Sequence, residues 1–223
     1  MPFLNTILNI VFPVKCVVCG TDGEDLCVPC LSDSPPAERE SAKWIFPLYD
    51  YRHPPIKKAL WMFKYKGKKR LARIFAKNMY EGILEELADL SVMENFQDPL
   101  LIPIPLSGKR RRERGYNQAE LICQELMKEN SPNSGITFTL GKNILIKPQE
   151  TEHQARIENR AQRMKNIVGS FDIKDKRKNG EKIKGRNIIL VDDITTTGAT
   201  LAEAKKVLKQ AGARKVIAFT VAH

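Results

Sequence analysis

The stretch NIILVDDITTTGAT, residues 187–200, decides the fold. An apolar run ends at two adjacent acids, Asp192 and Asp193. After Ile194 come Thr195, Thr196, Thr197, Gly198, Ala199 and Thr200. The run over 187–191 is short, apolar and rich in β-branched residues, so it reads as a buried strand. Downstream, Leu201, Ala204, Val207, Leu208 and Ala211 recur on one helical face, and Gly212 is a fitting stop. The run KVIAFTVA, 215–222, is a second apolar strand. Strand, helix and strand make a βαβ unit, which predicts parallel pairing. Near-continuous apolar strands predict a sheet covered on both faces.

Open parallel sheets bind ligands beyond the carboxyl ends of their strands. The threonine turn lies at such an end and leads into a helix N-terminus. Successive N–H groups and the helix dipole there favour an anion, and Gly198 permits close backbone approach. The hydroxyls of Thr195, Thr196, Thr197 and Thr200 add donors. That describes a site for one phosphate. The two acids would repel it, so they face something else: a sugar diol, which donates hydrogen bonds, or a hard cation such as Mg²⁺. A phosphate with a diol one sugar ring away is a ribose 5-phosphate group. The chain carries neither a Walker A sequence nor a G-x-G-x-x-G, so the common nucleotide fingerprints are missing.

Around this stretch, 223 residues suffice for one α/β domain and a small extra module. A hydrophobic content of 42% predicts a packed core. With 37 Lys+Arg against 26 Asp+Glu, the formal charge of +11 favours an anionic partner. The opening segment, MPFLNTILNIVFPVKC, lacks the basic start and cleavage site of a signal peptide and is too short to span a membrane. Phe3, Leu4, Ile7, Leu8 and Val11 predict a short amphipathic helix. A cytoplasmic protein is the expectation.

The run CVVCGTDGEDLCVPC holds Cys16, Cys19, Cys27 and Cys30 in two Cys-x-x-Cys pairs. Four thiolates at this spacing predict a closed, structural Zn²⁺ site. A disulfide reading suits a secreted chain, to which nothing here points. The expected division is an N-terminal helix and zinc finger over 1–35 and a single α/β domain over 36–223. Cys123 falls in an apolar helical pattern and is expected in the core.

Further along, strands are expected over 44–51, within 98–106, and at 143–147 and 170–173. Helices are expected over 55–90, broken at Gly67 and punctuated by Gly82, and over 117–130, with Asn117 as N-cap. Residues 174–185 read as a basic turn or hairpin loop. The run KKALWMFKYKGKKRLAR, 57–73, has eight basic residues, no acid, and interleaved Trp61, Phe63 and Tyr65. Its Lys64, Lys66, Lys68, Lys69 and Arg70 are candidates for following a single nucleic-acid strand, although packing is the stronger reading of the aromatics.

The stretch VDDITTTGAT resembles the phosphoribosyl pyrophosphate loop of type I phosphoribosyltransferases. There the acids contact ribose hydroxyls and loop amides hold the 5-phosphate. The cysteine quartet, FKYKGKKRLA at 63–72, IPIPL followed by RERGYNQAELI at 112–122, and TEHQARIENRAQRMKNIVGSF at 151–171 occur in that order. Together they resemble the ComF family, whose members are associated with DNA uptake in natural competence. The resemblance implies a type I phosphoribosyltransferase fold, with a parallel sheet, flanking helices and a hood or flap, plus the small zinc-binding module. It implies phosphoribosyl pyrophosphate binding by Asp192, Asp193 and Thr195–Thr200, with Mg²⁺, and a pyrophosphate loop with Arg112, Arg114, Asn117 and Gln118. It also implies a flap with Thr151, Gln154, Arg163 and Asn166. Two functions stay open. One is a phosphoribosyltransferase of unknown acceptor that works in DNA uptake with single-stranded DNA. The other is a non-catalytic binding module partnering a DNA-translocating helicase. The sequence assigns no catalytic side chain and no acceptor pocket.

Overall fold

A computed structural model describes residues 14–38, 42–129, 137–148 and 167–223. In chain order its elements are α1 (Val28–Ser32), β1 (Ile45–Tyr49), α2 (Pro54–Tyr65), α3 (Leu71–Glu94), β2 (Leu100–Pro103), α4 (Gly108–Arg114) and α5 (Gln118–Glu129). They continue with β3 (Thr139–Leu140), β4 (Leu145–Ile146), β5 (Asp172–Ile173), α6 (Lys176–Ile183), β6 (Asn187–Ile194), α7 (Ala199–Gln210) and β7 (Lys215–Ala222). Five strands form a parallel sheet in the order β1-β7-β6-β2-β3. Flanking helices cover both faces, as the continuous apolar strands predict.

Strand alternation divides the core. Ile189, Val191, Ile217 and Phe219 join the apolar faces of α2, α3 and α5, including Leu60, Phe63, Phe75, Ile122 and Leu126. Ile188, Leu190, Val216 and Ala218 join Ile183 of α6 and Leu201, Ala204 and Leu208 of α7. Phe63, Phe75 and Leu60 are fully buried, and each contributes about 1.5–3 kcal/mol. Cys123 is fully buried too, as expected.

The order of the strands positions the site. After β2 the chain passes through α4 and α5 to β3, on one side. After β6 it passes through α7 to β7, on the other. The β2/β6 pair is therefore the topological switch point, the place where open parallel sheets bind ligands beyond the strands' carboxyl ends.

Three expectations change. Residues 176–183 form helix α6 where a turn was expected. Asp175 accepts from the Lys178 N–H at 3.3 Å as its N-cap, and Asn179 and Ile183 bury one face, so capping and packing outweigh Gly180. The basic loop after β2 is also helical, as α4, capped by Ser107 and ended by Gly115 at φ +75°. Gly82 does not interrupt α3. A Cβ there would lie 3.1 Å from Leu48 Cδ2, so its role is close approach to β1.

Among the described residues no helix is long and apolar enough to cross a membrane. The amphipathic helix expected over 3–11 and the flap residues Thr151, Gln154, Arg163 and Asn166 lie outside the described residues. The short antiparallel pair β4–β5 stands on either side of that flap segment in sequence.

Candidate functional site

Strand β6 runs through both acids, with Asp192 opposite Thr220 of β7. The two side chains leave the strand on opposite sides, yet at the strand end their charges still act on one another. Asp193 is buried on the face shared with α2, and its Oδ1 lies 2.9 Å from Lys64 Nζ. Asp192 is half-buried, and its Oδ1 accepts from the Asp193 N–H at 2.8 Å. Desolvation first, then the charge of Asp193, push the Asp192 carboxyl up to about 7, against the opposing pull of Lys64 and Arg114.

Beyond the acids, Thr195 is buried and its N–H continues the ladder to the Ala222 carbonyl at 3.0 Å. Thr196 and Thr197 are exposed, and Thr200 is half-buried at the helix start. Gly198 caps α7 at φ +67°, a left-handed conformation that glycine adopts without strain. Ala199 then opens the helix, its N–H 3.5 Å from Thr197 Oγ1. First-turn amides have no intrahelical acceptor, which leaves this loop ready for an anion. His223 Nε2 lies 2.9 Å from the Thr196 carbonyl oxygen. As a donor it fixes that carbonyl. Nothing in the local pattern around residue 223 signals this role, because the two residues are 27 apart.

The basic motif after β2 divides. Arg112 is exposed. Arg114 turns inward: it donates to Gln118 Oε1 at 3.0 Å, and its guanidinium lies 5.2 Å from the Tyr65 ring centroid. Asn117 is committed to the fold at both ends. Its Nδ2 donates to the Ile104 carbonyl at 2.9 Å, and its Oδ1 accepts from the Ala119 N–H at 3.1 Å, the predicted N-cap. Gln118 is buried and its Nε2 has no hydrogen-bond partner. Tyr116 donates its hydroxyl to the Phe63 carbonyl, which ties this turn to α2.

The basic residues of 64–70 are drawn into separate contacts. Lys64 reaches Asp193. Lys66 lies 5.1 Å from the Trp61 ring, and Lys69 lies 5.0 Å from the Tyr116 ring. Lys68 and Arg70 each approach buried Asp25 of the cysteine module at 3.8 Å. Phe63 is core, whereas Trp61 and Tyr65, one helical turn apart, are 47% and 59% exposed. The helical period separates them: the alternating pattern in sequence is one buried ring between two outward ones.

The ligand atoms of Cys16, Cys19, Cys27 and Cys30 all lie within 4.8 Å of one another. Tetrahedral zinc with bonds near 2.3 Å spaces sulfurs about 3.8 Å apart, so the four can hold a zinc ion. Cys16 Sγ also accepts from the Val18 and Cys27 N–H groups at 3.5 and 3.4 Å, which aims it inward. The module is continuous with the main core through Cys16, Val17 and Leu26.

Comparison with known proteins agrees with this architecture. A phosphoribosyl transferase domain matches residues 116–223, which include the acids, the threonine loop and α7. Competence protein ComFC of Bacillus subtilis is 31% identical over 74% of this chain and 59% of its own length. Competence protein F of Haemophilus influenzae is 25% identical over 89% of this chain and 81% of its own. The chain is thus similar, over most of its length, to proteins named for competence. DNA utilization protein YhgH of Salmonella typhimurium is 26% identical over 90% of this chain and 80% of its own length. With the sheet and the cysteine cluster, this protein is a phosphoribosyltransferase-type α/β fold carrying a module fit for zinc.

Proposed function

We propose that this protein binds phosphoribosyl pyrophosphate at the β2/β6 switch point and acts in DNA uptake, with single-stranded DNA as a partner. One observation carries the proposal: the acid pair and the Thr195–Thr200 loop lie together at the carboxyl end of β6, beside the switch point, in a chain matched there by a phosphoribosyl transferase domain. The loop amides and Thr hydroxyls take the 5-phosphate, and Asp192 takes the ribose diol. Arg114, whose charge acts on Asp192, faces the pyrophosphate. The Gln118 Nε2, buried without an acceptor, finds one in a phosphoryl oxygen.

In a transfer reaction the bond from C1 to pyrophosphate breaks, the pyrophosphate leaves with the electron pair, and an acceptor atom bonds to C1. The protein's contribution is positioning and charge stabilisation. Mg²⁺ carried on the pyrophosphate supplies further neutralisation when bound. The DNA-uptake role comes from relatives named for competence and DNA utilization. Exposed Trp61 and Tyr65 beside Lys66 and Arg114 support a single-strand partner, because bases stack on rings while cations follow phosphates.

That same exposed face favours a second reading, a module that binds the ligand without transferring it and partners a DNA-translocating helicase. An open aromatic face does not exclude water from a reactive sugar cation. Calorimetry of phosphoribosyl pyrophosphate with Mg²⁺ tests the binding. Wild type gives heat and the Asp192→Ala/Asp193→Ala variant gives none; a silent wild type overturns the assignment. Pyrophosphate release with base or DNA acceptors separates transferase from binder.

A further inference from the structure

Lys64 differs from its basic neighbours in the 57–73 run. Its side chain is 14% exposed, and its ammonium lies 2.9 Å from a carboxylate that is itself 9% exposed. Helix α2 holds it there: Phe63 beside it is locked in the core, and its carbonyl is bonded by Tyr116. The acid pair is therefore unequal. Asp193 already has a cation on its Oδ1. Asp192 has one oxygen committed to the Asp193 amide. Two adjacent carboxylates with no counter-charge would attract a divalent metal ion. A fixed ammonium on one of them repels that ion at close range.

We propose that Lys64 is a built-in counter-ion that keeps a free divalent cation off the acid pair, so that metal enters this site only already chelated by the phosphorylated ligand. Lys64 is thus a positioning residue. It fixes Asp193, leaves Asp192 to read the sugar diol, and turns its remaining N–H groups toward the incoming phosphoryl oxygens. This deepens the reading of the site given above and rests on it for the identity of the ligand. Its central claim concerns metal alone and is measured without that ligand.

The test uses the zinc-loaded full chain and Mn²⁺ as probe, titrated by calorimetry or electron paramagnetic resonance. Wild type and Lys64→Arg bind Mn²⁺ weakly and alike. Lys64→Met, shown folded by its thermal transition, binds at least tenfold more tightly, and Lys64→Met/Asp193→Asn returns to weak binding. Tight Mn²⁺ binding to wild type at the acid pair, abolished by Asp192→Asn, overturns the proposal whether or not any Lys64 variant folds. So does a folded Lys64→Met that matches wild type. Failure of phosphoribosyl pyrophosphate to bind wild type leaves these metal titrations unaffected and counts against the ligand assignment alone.

Discussion

The backbone N–H of Gly169 donates to the buried Glu203 carboxylate at 2.8 Å, across 34 residues. Gly169 lies near the end of the segment that holds the expected flap, and Glu203 stands on α7, the helix that opens at the threonine loop. Charge-assisted hydrogen bonds of this kind contribute about 1.5–3 kcal/mol. Glu203→Ala is expected to lose most of that in denaturant unfolding and to speed hydrogen exchange at Gly169. Glu203→Gln retains the acceptor and keeps the larger part. Unchanged exchange in Glu203→Ala would detach α7 from the segment before it.

The cysteine module shares a core with α2 and α3 through Cys16, Val17 and Leu26. Metal analysis should find about one zinc per chain, because four thiolates close one tetrahedron. Removal of zinc by a chelator is expected to lower the main thermal transition of the whole chain, not merely to melt residues 14–38. A main transition that stays in place on zinc removal would show the module folding independently.

Asp192 supplies a pH dependence. Burial and Asp193 raise its pKa to about 7, while Lys64 and Arg114 oppose the rise. The sign follows: the folded chain binds this proton more tightly than the unfolded one. The group's contribution to stability is complete below the ordinary carboxylate range and is lost as pH rises through about 7. Ligand binding runs the other way, because the carboxylate form accepts both diol hydroxyls. Affinity for phosphoribosyl pyrophosphate should therefore rise with pH through about 7 in wild type, and this component should vanish in Asp192→Asn.

His223 holds the Thr196 carbonyl at 2.9 Å, next to the loop assigned to the 5-phosphate. A single neutral hydrogen bond contributes about 0.5–1.5 kcal/mol, or roughly two- to tenfold in affinity. His223→Phe should weaken phosphoribosyl pyrophosphate binding by that factor in calorimetry with little loss of thermal stability. An unaltered affinity would leave the loop's shape to β6 and α7 alone.

Single-strand binding should weaken steeply with salt. Each phosphate contact removed lowers the slope of log affinity against log salt by about 0.7. Lys66→Ala and Arg112→Ala, both on exposed side chains, are expected to act in this way by fluorescence anisotropy. Trp61→Ala should weaken binding at every salt concentration while leaving the slope intact, because stacking carries no counterion term. A salt-independent affinity would remove the basic surface from the interface.

The sequence by itself determined the βαβ unit at 187–222, the threonine-rich turn between its first strand and its helix, and the cysteine quartet. In each, the physics is local: hydrophobic period sets the element, and closely spaced ligands or a glycine-bearing turn set the site. It also fixed Asn117 as a cap, since capping acts within one helical turn. The helix at 176–183 was less legible. Its one buried stripe is Asn179 and Ile183, and a polar segment shows its period only when a core is there to receive it. Only the tertiary structure decided how the charges are paired. Lys64 and Asp193 are 129 positions apart in number yet meet where the last turn of α2 reaches the end of β6. Lys68 and Arg70 turn to Asp25, and Arg114 turns in while Arg112 stays out. A run of basic residues declares a net charge. Which carboxylate each cation finds depends on contacts between distant segments, and those follow from packing and the order of strands in the sheet.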